Sequence, residues 1–250
     1  MNLYTLETGF FKLDGGAMFG VVPKSLWNKI NPADDNNLCT WAMRCLLVQE
    51  GRRLILIDNG IGNKQDDKFF GHYHLHGDDT LEKSLKKHGF TRDDITDVFL
   101  THLHFDHCGG SIIREEGKLV PAFKNATYWS NAQHWDWATV PNDREKASFL
   151  KENILPIRES RQLKFVDMPA GPHERLPSAP FTDNISIRFV SGHTESMMLP
   201  QIKYKGKTIV YMADLLPSAG HIPLPYVMAY DMFPLTTLKE KKTFLEEAVQ

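Results

Sequence analysis

From Thr101 to Gly110 the chain reads Thr-His-Leu-His-Phe-Asp-His-Cys-Gly-Gly, the stretch richest in side chains that can bind a metal. His102 and His104 are two residues apart, so on an extended strand end they point the same way and can share one cation. Asp106 and His107 follow on the loop and can face a second. Imidazole nitrogen combined with carboxylate oxygen is the ligand set of Zn²⁺, and less often of Fe²⁺, Mn²⁺ or Co²⁺. The bland alternative is a group of histidines satisfied by ordinary hydrogen bonds. Burying three imidazoles and a carboxylate together without a metal would, however, strand an expensive set of polar groups.

Strand ends must deliver these residues. The apolar runs 43–48 and 54–57, separated by a polar turn, read as a β-hairpin whose second strand ends on Asp58-Asn59-Gly60. A helix capped by Asp79 or Thr80 runs to residue 88, with Leu81 and Leu85 on one face and Gly89 as its stop. Residues 96–100 form a short buried strand leading directly into the histidines. Further strands are expected at 126–129, 163–166, 185–190 and 208–212, the last two running into His193 and Asp214. Helices are expected at 131–138, at 142–153 with Pro156 ending it, and at 238–250. Strands in both halves, with helices between and after them, predict a layered α/β architecture with its chemistry at strand ends. No repeat or linker divides the 250 residues, so a single domain, 1–250, is expected.

Composition narrows the function classes. Lys and Arg total 29 against 31 Asp and Glu, a net charge of −2, which offers no long-range attraction to a phosphate backbone and argues against a nucleic-acid partner. Apolar runs fall far short of a membrane span, and the first 20 residues lack a basic leader region, so no membrane partner and a cytoplasmic location are expected. Three cysteines, Cys39, Cys45 and Cys108, are an odd number in a chain able to bury its own core, which fits a reducing compartment.

The motif His102-Leu103-His104-Phe105-Asp106-His107 with Gly109-Gly110 resembles the H-x-H-x-D-H signature of the metallo-β-lactamase-fold hydrolases. Other landmarks of that family appear in order: Leu56-Ile57-Asp58-Asn59-Gly60, Gly192-His193-Thr194 and Tyr211-Met212-Ala213-Asp214. The segments 14–23 and 221–225 look most like the branch holding N-acyl-homoserine lactonases and methyl parathion hydrolase. The resemblance implies an αββα sandwich, two mixed β-sheets flanked by helices, with two divalent metal ions, Zn²⁺ first. It implies that His102, His104 and His193 bind one ion, that Asp106 and His107 bind the other, and that Asp214 bridges both. Asp58 would orient a ligand histidine by accepting its free N–H; a turn-forming role before Asn59-Gly60 is the alternative. The sequence departs from the pattern G-H-T-P-G-H, reading Thr194-Glu195-Ser196-Met197 after His193. In this branch a strand with a terminal His-Asp pair follows the last helix and completes the second site. No histidine follows His221, and the helix reaches Gln250 uncapped. The expectation is a domain lacking that strand, with His221 or water as the surrogate ligand otherwise.

Weaker signals have two readings each. His72, His74 and His76 alternate as a second metal site would, or form a loop tip. Trp129, His134, Trp135 and Trp137 suit a lid, a homodimer contact or core packing. Cys108 reads as a small buried residue rather than a thiolate ligand. Tyr226 and Tyr230 are candidate donors to a substrate carbonyl, and Met18, Phe19 and the 129–137 segment are candidate lining for an acyl chain. The expected activity is hydrolysis of a small-molecule lactone or carboxylic ester by a water that two metals acidify. Phosphotriester hydrolysis is the alternative within that chemistry, and a non-catalytic metal-binding or ligand-sensing protein is the alternative outside it.

Overall fold

The computed structural model describes residues 1–170 and 176–249. Among them the strands are β1 (Asn2–Asp14), β2 (Leu38–Glu50), β3 (Arg53–Ile57), β4 (Asp97–Phe99), β5 (Ile112–Glu115), β6 (Lys118–Pro121), β7 (Thr127–Ser130), β8 (Leu163–Phe165), β9 (Ser178–Pro180), β10 (Ile185–Val190), β11 (Met197–Tyr204) and β12 (Lys207–Val210). The helices are α1 (Gly15–Phe19), α2 (Lys24–Trp27), α3 (Asp67–Gly71), α4 (Leu81–Lys87), α5 (Phe105–Cys108), α6 (Ala132–Thr139), α7 (Lys151–Glu159) and α8 (Pro234–Ala248). The chain divides into two compact units, Met1–Phe11 with Ala42–Val166 and Lys12–Trp41 with Asp167–Gln250.

The first unit is built on a six-stranded sheet ordered β1-β2-β3-β4-β7-β8, although the end of β1 and the start of β2 fall in the second unit. β2 and β3 pair antiparallel, Gly51 supplying the left-handed turn residue at φ 59° between them. β3, β4, β7 and β8 then pair parallel. Leu54 to Ile57 are all buried, as a strand covered on both faces requires. The core beneath gathers Leu56, Val98, Leu100 and Tyr128 with Leu81 and Leu85 of α4, Trp135 of α6 and Ile154 and Ile157 of α7.

The charged segment 142–149 is not the expected helix. Asn142 Oδ1 accepts from the amides of Arg144 and Glu145 in a local turn, and the helix begins only at Lys151 and carries Pro156 inside it. Buried Ile154, Pro156 and Ile157 on its inner face offset the hydrogen bond that the proline removes. The aromatic residues of 129–137 likewise take structural places: Trp135 is core, and Trp129 donates to Asp97 Oδ1 at 2.8 Å.

The second unit carries a four-stranded sheet ordered β12-β11-β10-β9, whose pairings are all antiparallel, so the mixed character belongs to the first sheet. Val190, Met197, Leu199 and Leu215 form a core cluster in it, with Phe244 of α8 packed against them. α8 starts at Pro234, in the first helical position where a missing N–H costs nothing. Gln250 lies outside the described residues. Among those described, no helix is long and apolar enough to cross a membrane.

Candidate metal centre

In the first unit the parallel register sets Ile57 beside Phe99, and Asp58 N donates to Phe99 O at 2.9 Å. That carries the Asp58 carboxylate to the exit of the neighbouring strand. Thr101 N donates to Asp58 Oδ1 and Thr101 Oγ1 to Asp58 Oδ2, each at 2.9 Å. His107 Nδ1 lies 2.8 Å from the same Oδ2. The Thr101 hydroxyl proton is spent on Asp58, so its oxygen accepts from His102 Nδ1 at 3.1 Å. One buried carboxylate therefore orients His107 directly and His102 through Thr101. With the proton assigned to Nδ1 by these partners, each ring presents its lone pair at Nε2.

His104 is held the other way round. Its Nε2 lies 2.9 Å from Glu145 Oε1, which leaves the lone pair at Nδ1. Glu145 is 1% exposed, and its other oxygen accepts from Trp137 Nε1 at 2.6 Å. Nothing in the local pattern around Glu145 points to this role. The His102 ring centroid is 4.0 Å from that of His107 and 4.6 Å from that of His104. Leu103 N donates to His134 Nε2 at 2.8 Å, fixing the residue between the two histidines.

The glycines of the motif have a steric reason. A Cβ on Gly109 would stand 2.1 Å from Ile61 O, and one on Gly110 2.3 Å from Asn59 O. Only bare backbone lets the 59–62 loop come close enough for Asn59 N to donate to His107 O at 2.9 Å. Cys108, next to them, is fully buried and donates to Leu103 O at 3.3 Å. Burial pushes its thiol well above the ordinary range, so it is a packing residue, as its position beside His107 suggests.

Asp106 Oδ2 lies 3.7 Å from His107 Nε2. Next to it Phe69, Tyr73 and Phe105 pack together, Tyr73 to Phe105 at 4.7 Å and Phe69 to Phe105 at 5.4 Å between centroids. Burial, with the Asp106 charge adding to it, raises the Tyr73 hydroxyl and keeps it protonated.

In the second unit, β10 ends at Val190 and releases Ser191-Gly192-His193. His193 Nδ1 lies 3.0 Å from Asp231 Oδ1, whose other oxygen accepts from Met228 N at 3.2 Å. His193 O in turn accepts from Met232 N at 3.0 Å. Asp231 is 1% exposed, and the sequence gives no sign of its pairing with His193. His193 Nε2 faces Asp214 Oδ2 at 3.2 Å. Asp214 sits on a single 3-10 turn, Ala213–Leu215. Just upstream, Glu240 accepts from the amides of Ser191 at 2.7 Å and Gly192 at 3.0 Å. Burial raises its carboxyl to about 7, an effect those amides partly oppose.

These donor sets fit divalent metal. In both units the imidazole nitrogen not engaged by the partner behind the ring faces a carboxylate oxygen, His107 Nε2 with Asp106 and His193 Nε2 with Asp214. Two acceptors so placed repel unless a cation or a proton lies between them.

His221 differs from the expectation that it can act as a surrogate ligand. Its Nδ1 lies 2.8 Å from Ser218 Oγ and its Nε2 2.8 Å from Met18 O, so both nitrogens are spent on structure. The ring stacks on Phe19 at 4.5 Å, and Phe19 stacks on Trp27 at 5.3 Å. Burial lowers its pKa and keeps it neutral. Phe19 is fully buried in that stack, and Met18, whose carbonyl accepts from His221, is 4% exposed. His72 caps α3, and His76 Nδ1 lies 2.9 Å from His74 O. Among the described residues, no metal-competent cluster includes these three histidines.

Fold and donor sets together define a layered α/β protein whose strand ends carry histidine and aspartate groups suited to divalent metal. The model of the metallo-beta-lactamase superfamily matches residues 44–248. The chain belongs to that superfamily and is a metal-dependent hydrolase. A crystal structure of a probable metal-dependent hydrolase from Staphylococcus aureus is 28% identical, with a TM-score of 0.88 over 100% of this chain and 85% of that one. AidC, a dizinc quorum-quenching lactonase solved with a product, is 23% identical, with a TM-score of 0.75 over 98% of this chain and 82% of that one. A mutant of AiiA from B. thuringiensis, with N-decanoyl-L-homoserine bound at its active site, is 19% identical, with a TM-score of 0.73 over 99% of this chain and 88% of that one. No curated protein matches the chain.

Proposed function

We propose that this chain hydrolyses a lactone or another small carboxylic ester at a dinuclear metal centre. In this reading, taken from the family motif, His102, His104 and His193 would hold one ion, Asp106 and His107 would hold the second, and Asp214 would be shared between them. The observation that carries it is the set of anionic partners behind the rings: Asp58 for His107 and His102, Glu145 for His104, and Asp231 for His193. Partners of that kind fix ring orientation and raise ligand basicity.

Bound divalent metal, Zn²⁺ in the first instance, acidifies water toward neutrality and polarises a carbonyl. The chain supplies the rest. Asp58, Glu145 and Asp231 hold the ring protons away from the reaction centre, so the lone pairs stay directed at it. Phe69, Tyr73 and Phe105 give an apolar wall beside Asp106 that suits the alkyl part of an ester and excludes water. The protonated Tyr73 hydroxyl is available as a donor to a substrate oxygen, and Asp106 or a nearby acid would hand the leaving alkoxide a proton first taken from the attacking water, a role secondary to its duty as ligand. The description of AidC as a quorum-quenching lactonase, and the N-decanoyl-L-homoserine bound by AiiA, favour carboxylic ester over phosphoryl chemistry by analogy of fold.

The test is a panel of lactones, aryl esters and phosphotriesters with metal-replete protein. Lactone or ester turnover is expected to lead. Phosphotriester turnover tenfold above lactone turnover would reverse the ranking. Full metal content with no turnover on any member would favour a binding or sensing role.

A further inference from the structure

Two consecutive residues of α8 each reach one side of the His193–Asp231 pair. Glu240 accepts from Ser191 N at 2.7 Å and Gly192 N at 3.0 Å, fixing the backbone that presents His193. The fit there is tight, since a Cβ on Gly192 would stand 2.3 Å from Thr237 N of the same helix. Lys241 is fully buried, an unusual state for an ammonium group. It donates to Pro223 O at 2.7 Å, Tyr226 O at 2.9 Å and Leu224 O at 3.3 Å. That segment runs on to Met228, whose amide holds Asp231 Oδ2, and to Asp231 itself.

We propose that Glu240 and Lys241 are positioning residues that set the His193–Asp231 hydrogen bond, and so the affinity of the chain for metal at His193, by clamping the two partner segments to one rigid helix. The inference rests on the reading of His193 as a metal ligand. A carboxyl group spanning two successive amides and a side-chain amine capping three carbonyls are directional contacts. They meet the helix one residue apart, so neither segment can shift without the helix registering it.

The test uses the full chain, stripped and reloaded with Co²⁺ alone at about pH 7.5, where unpartnered histidines are neutral and free to bind metal. Affinity is read by competition with a chromophoric chelator and ligand geometry by the visible absorption of bound Co²⁺. Glu240→Gln, which keeps the shape but loses one acceptor, and Lys241→Met are expected to weaken the affected site by roughly tenfold each and to change the Co²⁺ spectrum. The double variant is expected to lose less than the product of the two, because both act through one hydrogen bond. Asp231→Asn provides the reference spectrum for a released His193. Should Lys241→Met fail to fold, Glu240→Gln with its circular dichroism unchanged decides the matter. Folded variants with wild-type Co²⁺ affinity and spectrum overturn the positioning role, while a wild-type chain that binds no Co²⁺ overturns this role and the metal-centre reading together.

Discussion

Asp58 Oδ2 lies 2.8 Å from His107 Nδ1 and 2.9 Å from the Thr101 hydroxyl that in turn supports His102. A single oxygen thus serves two imidazoles. Asp58→Asn can keep an acceptor for only part of this set and turns an amide N–H toward a donor. Metal affinity and turnover are expected to fall by about 100-fold, the upper end for such partners. Asp214→Asn is expected to cost more, because in the proposed centre it removes charge that would compensate two cations. Metal content and turnover of both variants at one pH check the order.

Glu145 joins His104 to Trp137 across two short hydrogen bonds. Glu145→Gln leaves one of those donors facing an amide N–H inside the protein. Stability is expected to drop by about 1–3 kcal/mol and metal affinity by about tenfold. Denaturant unfolding of the metal-free protein and chelator competition separate the two effects.

His221→Gln is expected to leave metal stoichiometry unchanged while destabilising the fold by about 1–3 kcal/mol through lost buried hydrogen bonds. Its folded pKa lies below the ordinary histidine value because of burial. The unfolded chain therefore binds the extra proton first as pH falls, and stability declines from about 6.5 downward. The variant should lose that part of the acid slope, which unfolding curves between about pH 5 and 7.5 will show. Metal lost in the variant would return His221 to the ligand set.

All three cysteines are buried and free, and burial raises each thiol. The folded protein is expected to leave Ellman's reagent unreacted at about pH 8, where an exposed thiol is partly ionised, with three thiols per chain appearing on denaturation. A fast-reacting thiol in the folded state would contradict this.

The local parts of the site were legible because they are written in short spacing: the His102 to His107 motif, the strand-end Asp58, and Gly109-Gly110. Glu145 and Asp231 were not, since they meet their histidines from 41 and 38 residues away in irregular segments with no periodicity. β11 escaped notice because Pro200 interrupts its pattern; the residue pairs with Ile187 and accepts from Tyr211 N, so the strand survives it. The stack of Phe19 with Trp27 and His221 joins residues far apart in the chain and has no local signal.

The most direct test of the central claim is lactone turnover against metal equivalents added to chelator-stripped protein. The account predicts no turnover without metal, recovery with Zn²⁺ or Co²⁺, and saturation at two ions per chain. Undiminished lactone opening by metal-free protein would contradict it.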